Sequence, residues 1–146
     1  MARVFLLFSF LLLAGTSFAQ IRELPKEVDA AFSKQYPGAE EVEFVDNLIN
    51  VKVHFVLDDE QYIATYTSKG LWKETEKAWS FEKLSDDVKD GFEKCKYADW
   101  PVTETKILYK ADKSELYRIK VEKNELLKKY LLFNAKGRLL SESITL

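Results

Sequence analysis

Residues 49–72 read INVKVHFVLDDEQYIATYTSKGLW, and this stretch decides the fold. Apolar residues such as Val51 and Val53 alternate with polar ones, which is the period of a half-buried strand. Two aspartates beginning at Asp58 interrupt the alternation, and Gly70 stands where a hairpin turn needs a positive φ. The stretch therefore predicts antiparallel strands joined by tight turns.

The same pattern recurs in the second half of the chain. Residues 24–28, LPKEV, match residues 84–88, LSDDV, at a distance of sixty positions. The hairpin signal YTSKGLW at 66–72 likewise matches FNAKGRL at 133–139. Because two different signals recur in the same order, the sequence indicates a tandem duplication.

Each copy begins with apolar residues at helical spacing and continues with strands. The helical positions are Val28, Ala31 and Phe32, then Val88, Phe92 and Cys95. Four strands are expected in each copy, near residues 41–46, 49–57, 60–67 and 70–77, then 103–111, 114–122, 126–134 and 137–145. The predicted fold class is α+β, a helix followed by a four-stranded antiparallel meander (αββββ) occurring twice, with a separate sheet in each copy.

The N-terminal segment has the three parts of a secretory signal peptide. Arg3 supplies a positive charge, an apolar run extends from Val4 to Ala14, and the small residues Ser17 and Ala19 precede the expected cut after Ala19. The apolar run is shorter than the roughly 20 residues that span a bilayer. The predicted divisions are 1–19 as signal peptide, 20–80 as the first repeat and 81–146 as the second. We expect a periplasmic or secreted protein with no membrane partner after cleavage.

The composition excludes several classes of protein. The formal charge is −2 and both signs are interspersed, whereas a nucleic-acid partner would require a concentrated basic face. Cys95 is the only cysteine, so no intrachain disulfide can form. His54 is the only histidine, and no nucleophile or orienting carboxylate accompanies it at a recognisable spacing. We therefore expect no enzyme, no metal site and no cofactor.

Several short motifs carry a family resemblance: Leu-Pro-x-x-Val, Tyr-Pro-Gly-Ala, Tyr-x-Ala-x-Tyr and Lys-Gly-x-Trp-x-x-Thr-Glu. The residues that match are Leu24, Pro25, Val28, Tyr36 to Ala39, Tyr62, Ala64, Tyr66, Lys69, Gly70, Trp72, Thr75 and Glu76. The chain resembles the PepSY-like family of exported bacterial proteins, which is related in architecture to the beta-lactamase inhibitory protein (BLIP). The resemblance implies a tandem repeat that acts by binding rather than by catalysis.

A meander with a helix on one side leaves its other side toward water, and we call that side the open face. Strand parity predicts the side chains that line it and that are candidate binding residues: Lys52, His54, Ile63, Thr65, Arg118, Lys120, Tyr130 and Leu132. The side chains expected beneath the helices are Tyr66, Trp72, Tyr117 and Phe133.

Three hypotheses about function follow. The leading one is an exported binding module with a protein or peptide partner in the cell envelope. It would hold that partner on its open faces and in the groove between copies, and inhibition of an enzyme is one form that this binding could take. The alternative is a small-molecule or envelope-stress binding protein with a pocket between helix and sheet. The third and weakest is an enzyme with an unfamiliar site. Exposed aromatic residues on the sheet would favour the binding module. An enclosed apolar cavity would favour the small-molecule binding protein, and a cleft that contains carboxylates with shifted pKa values would favour the enzyme.

Overall fold

The structure is a computed structural model that describes residues 23–47 and 49–144. The predicted signal peptide, residues 1–19, lies outside this part of the chain. The elements in order are α1 (Lys26–Gln35), β1 (Glu40–Asp46), β2 (Asn50–Leu57), β3 (Glu60–Thr67), β4 (Trp72–Trp79), a 3₁₀ helix (Phe81–Lys83), α2 (Asp86–Glu93), β5 (Val102–Lys110), β6 (Glu115–Glu122), β7 (Lys128–Asn134) and β8 (Leu139–Ile144).

The eight strands form one antiparallel sheet in which every strand pairs with its neighbour in sequence, from β1 to β8. The predicted fold, two αββββ repeats with a sheet each, is therefore wrong. The two halves join where β4 pairs with β5, from Glu74 opposite Lys110 to Trp79 opposite Thr105. Two separate meanders would leave these strands as free edges with unpaired N–H and C=O groups, and pairing them with each other satisfies those groups.

Two apolar clusters lie under the two helices. α1 buries Val28 and Phe32 in a cluster with residues of β2 and β3, including Val53 and Tyr66. α2 buries Val88 and Phe92 in a second cluster, whose other members are Leu84, Tyr97, Ile119, Val121, Leu131 and Phe133. Trp72 and Tyr117 are partly buried against these clusters, so all four aromatic residues predicted beneath the helices lie there.

Both helices cover the same face of the sheet. A row of directly paired residues crosses the strands in the order Phe55, Tyr62, Lys77, Ile107, Tyr117 and Phe133. Directly paired residues project from the same face. Phe55 belongs to the cluster under α1 and Phe133 to the cluster under α2. The open face is therefore a single surface that crosses from the first half of the sheet into the second.

Local sequence accounts for the helix boundaries. The Ser85 hydroxyl accepts a hydrogen bond from the Val88 N–H at the start of α2, and Asp86 and Asp87 place negative charge in its first turn. Pro25 precedes α1, where a missing N–H costs nothing. No helix within residues 23–47 and 49–144 is long and apolar enough to cross a bilayer.

The boundary predicted between residues 80 and 81 falls in the connection between β4 and the 3₁₀ helix. The helix and hairpin signals that recur on the two sides of this boundary are similarities of sequence. The duplication, and with it the division into 20–80 and 81–146, stays a prediction.

Candidate functional site

Strand register places all eight predicted residues on the open face. In β2, Lys52 and His54 alternate with the buried residues of the α1 cluster, and across to β3 they pair with Thr65 and Ile63. In β6, Arg118 and Lys120 alternate with Ile119 in the same way, and across to β7 they pair with Leu132 and Tyr130. The eight residues form two groups, one in each half of the sheet.

The eight residues differ in how much surface they offer. His54 is exposed, and most of the others are half-buried. Thr65 is only 6% exposed, and its hydroxyl oxygen has no hydrogen-bond partner among the described residues. Its direct neighbours across the sheet are Lys52 and Glu74, which have longer side chains. Thr65 therefore belongs to the base of the open face and offers little contact area.

An ion cluster at the centre of the open face was missed by the sequence analysis. Glu76 in β4 is only 5% exposed, and its carboxylate accepts hydrogen bonds from Lys106 Nζ at 3.1 Å and Arg118 Nη2 at 2.7 Å. Burial by itself raises the pKa of Glu76, but the charges and hydrogen bonds of Arg118 and Lys106 outweigh it and hold that pKa below its usual value. The signal was present as glutamates two apart in β4, Glu74 and Glu76, and lysines four apart in β5, Lys106 and Lys110, but it is meaningful only if these strands pair.

Tyr130 joins the second group of predicted residues. The Arg118 guanidinium lies 5.1 Å from the centre of the Tyr130 ring, and Lys120 Nζ lies 6.0 Å from it. Lys120 is also paired with Glu122 at 2.7 Å. A cation over an aromatic ring is attracted to the electron-rich ring face, so these three side chains form one polar and aromatic surface.

A cavity of about 410 Å³ opens on the same face in the first half of the sheet. Its lining includes the apolar side chains of Val56, Ile63 and Ala78 from three adjacent strands. Two of the predicted residues, His54 and Ile63, line this cavity. Glu76 and Lys106 of the ion cluster also line it, so the cavity and the ion cluster are continuous.

The edge strand β1 contributes the acidic part of the cavity. Pairing with β2 shifts register between Glu40, which faces Val56, and Glu43, which faces His54. This bulge gives Glu41 a left-handed backbone with φ of 50°. Both Glu41 and Glu43 line the cavity, and both are exposed. Sequence reasoning missed them because no local pattern marks the bulge.

The ion cluster and the cavity of the open face offer a bound molecule charged groups and apolar surface. Glu76 has a lowered pKa and is held by two cations, so it is poorly suited to donate a proton. Within residues 23–47 and 49–144, no group of three His, Cys, Asp or Glu side chains is arranged to hold a metal ion.

No protein-family model and no curated protein matches the sequence. Several solved structures do match. A DUF2874 family protein from Bacteroides ovatus has 23% identity and a TM-score of 0.76, with 84% of this chain and 89% of that chain covered. A BLIP-like protein from Bacteroides fragilis has 22% identity and a TM-score of 0.74, with 86% and 89% covered.

A third structure is a protein from Bacteroides eggerthii provisionally described as periplasmic. It has 21% identity and a TM-score of 0.74, with 84% of this chain and 90% of that chain covered. At such identities the matches establish the fold alone, and that fold is BLIP-like. The PepSY-like resemblance stays a prediction.

Proposed function

We propose that the protein is an exported, non-enzymatic binding module that holds a protein or peptide partner on the open face of its sheet. One observation carries the proposal. Both helices lie on one face, so the other face of the same eight strands presents the cavity, the ion cluster and the stacked Arg118 and Tyr130 side chains together. Arginine and tyrosine are enriched at protein interfaces.

The comparisons support a protein partner and an envelope location. The likeness in fold to a BLIP-like protein favours a surface that clasps another protein, and inhibition of an enzyme is one form of that activity. The likeness to a protein provisionally placed in the periplasm agrees with the predicted signal peptide at 1–19 and a cut after Ala19. Export of this chain by that route is part of the proposal.

A small-molecule ligand is the second candidate function. The cavity volume of about 410 Å³ lies within the range of roughly 300–1,000 Å³ that is usual for ligand pockets. This cavity lies on the open face, whereas the sequence-based alternative placed a pocket between helix and sheet. A ligand in this cavity would contact Ile63 and Ala78 rather than the helices.

The test compares two triple variants as bait in an envelope extract. The open-face variant combines Lys52→Ala, His54→Ala and Tyr130→Ala, and leaves the ion-paired Arg118 intact. The control combines Ser33→Ala, Lys34→Ala and Glu93→Ala, which are exposed residues of the two helices. We expect the native chain and the control to retain the same partner and the open-face variant to lose it.

Equal recovery by the native chain and the open-face variant would contradict the proposal. Retention of a low-molecular-mass compound by the purified native chain, detected by native mass spectrometry and lost in an Ala78→Leu variant, would favour the second candidate instead. Ala78→Leu places additional atoms in the cavity and changes no charge.

A further inference from the structure

We propose that the cavity on the open face receives an arginine side chain of the protein partner. The inference rests on the proposed function and adds the chemistry of one contact to it. The sheet supplies an apolar surface for the methylene stem, and the bulged edge strand supplies carboxylates for the guanidinium. Both features lie in one cavity of about 410 Å³.

The charges that line the cavity favour a cation. Three carboxylates, those of Glu41, Glu43 and Glu76, face one ammonium group, that of Lys106. Glu76 is already neutralised by Lys106 and Arg118. Glu41 and Glu43 have no ion-pair partner among residues 23–47 and 49–144, so they are the groups available to a bound cation.

An anionic ligand does not fit this lining. Of the described residues that line it, Lys106 is the only lysine or arginine, and its ammonium group is held by Glu76 at 3.1 Å and by Glu104 at 3.8 Å. An incoming carboxylate or phosphate would compete with two bound carboxylates and approach Glu41 and Glu43 as well. Because like charges repel, the carboxylates of Glu41 and Glu43 disfavour the binding of an anionic ligand.

The apolar side chains distinguish an arginine from a small inorganic cation. Val56, Ile63 and Ala78 line the cavity, and they offer a metal ion no ligands. Long basic side chains bury their stems on apolar surface and keep the charged group near water or carboxylates. The planar guanidinium can also form paired hydrogen bonds with a carboxylate. The cavity is larger than one side chain, so backbone flanking the arginine also fits.

The test uses three tripeptides and the full mature chain labelled with ¹⁵N. The probe is acetyl-Ala-Arg-Ala-amide, and the controls carry citrulline, which keeps the length and removes the charge, or alanine, which removes the stem. Titration at pH 7.5 and low salt is followed by the amide signals of Val56, Ile63 and Ala78. We expect these signals to shift most with the arginine peptide and the affinity to fall as salt is added.

Two variants test the two halves of the contact. Glu41→Gln combined with Glu43→Gln removes the carboxylates and should weaken arginine-peptide binding about two- to thirty-fold, as expected for two partly exposed ion pairs. The matched control, Glu93→Gln with Asp99→Asn, removes the same charge from exposed sites off the open face and should bind as the native chain does. Ala78→Leu keeps every charge and should weaken binding by filling the cavity.

Specific outcomes overturn the inference. It fails if the citrulline peptide binds as well as the arginine peptide, if the shifts lie outside the cavity, or if the two-glutamine variant binds normally while its amide spectrum shows it to be folded. If the partner found with the extract is lost from the open-face triple variant but retained by the two-glutamine variant, the inference fails and the proposed function stands. If the arginine peptide binds in the cavity but the triple variant retains every partner, the proposed function fails instead.

Discussion

At the scale of single residues, Glu76 connects the stability of the sheet with the chemistry of the open face. It is 5% exposed, and it bridges β4 to Lys106 on β5 and to Arg118 on β6. Removing one member of such a cluster leaves the others charged and poorly solvated. The two cations remain partly exposed, which moderates the cost.

We expect Glu76→Gln to lower the free energy of unfolding at pH 7 by about 2–3 kcal/mol, less than the loss for a fully buried pair. Folding lowers the pKa of Glu76. Its contribution to the free energy of unfolding is therefore complete at pH values above its ordinary pKa of 4.5, and it is lost as the pH falls through the lowered pKa of the folded state. Urea denaturation of both proteins between pH 7 and pH 3 measures this difference, which should shrink in acid.

Glu74→Gln is the matched control for that experiment. Glu74 lies two residues away on the same strand and face, and its single pair with Lys110 at 2.6 Å is more exposed. We expect this control to cost less than about 1 kcal/mol. A loss for Glu76→Gln that is no larger than the control's, or that persists unchanged at pH 3, would contradict the role assigned to the cluster.

Parity along single strands identified the candidate residues of the open face, because alternation is a property of the local chain. It did not identify Glu76 or Lys106 as partners, since their contact depends on the pairing of β4 with β5. It also counted Thr65 as surface, although longer neighbours on adjacent strands bury it. Burial on a sheet depends on residues that are distant in sequence.

At the scale of elements, two hairpin turns touch the first turns of the two helices. A Cβ atom on Gly70 would lie 2.3 Å from the Glu27 carbonyl oxygen, and one on Gly137 would lie 1.9 Å from that of Asp87. Gly91 lies against the same turn, since its Cβ would stand 1.8 Å from the Gly137 carbonyl oxygen. α2 therefore tolerates a glycine in its interior because the turn approaches it closely.

We expect Gly137→Ala to lower the free energy of unfolding by about 3–5 kcal/mol, because it adds a backbone clash to the strain of a positive φ. Gly38→Ala is the control. Gly38 has a φ of +91° with nothing within 4 Å of the added Cβ, so backbone strain alone should lower the free energy of unfolding by about 1–2 kcal/mol. Thermal or urea denaturation measures both, and equal losses would show that the contact between turn and helix contributes nothing.

At the scale of the whole molecule, one sheet joins two apolar clusters that do not share residues. The junction is the β4–β5 pair, where the backbone ladder continues without interruption and Glu76 links three strands across it. Opening one half would expose a sheet edge and break this ion cluster. The two halves should therefore unfold together.

We expect a single equilibrium unfolding transition. Trp72 packs against the cluster under α1, whereas Trp100 packs against the cluster under α2. Trp79 also packs against the cluster under α2, so Trp79→Phe combined with Trp100→Phe leaves a reporter of the first half, and Trp72→Phe combined with Trp79→Phe leaves a reporter of the second. The midpoints of tryptophan fluorescence and of far-ultraviolet circular dichroism should coincide within each variant. Two separated transitions would show that the halves behave as independent units.

The sequence by itself determined the secondary structure, the turn positions and the side of each strand on which a residue lies. These follow from helical and strand periodicity and from glycine conformations, all of which act over a few residues. The tertiary structure alone decided that the strands share one sheet, that both helices cover one face, and that Glu76 meets Lys106 and Arg118. Those features arise from pairing free strand edges and burying apolar surface between distant segments, and no short stretch of sequence encodes that choice.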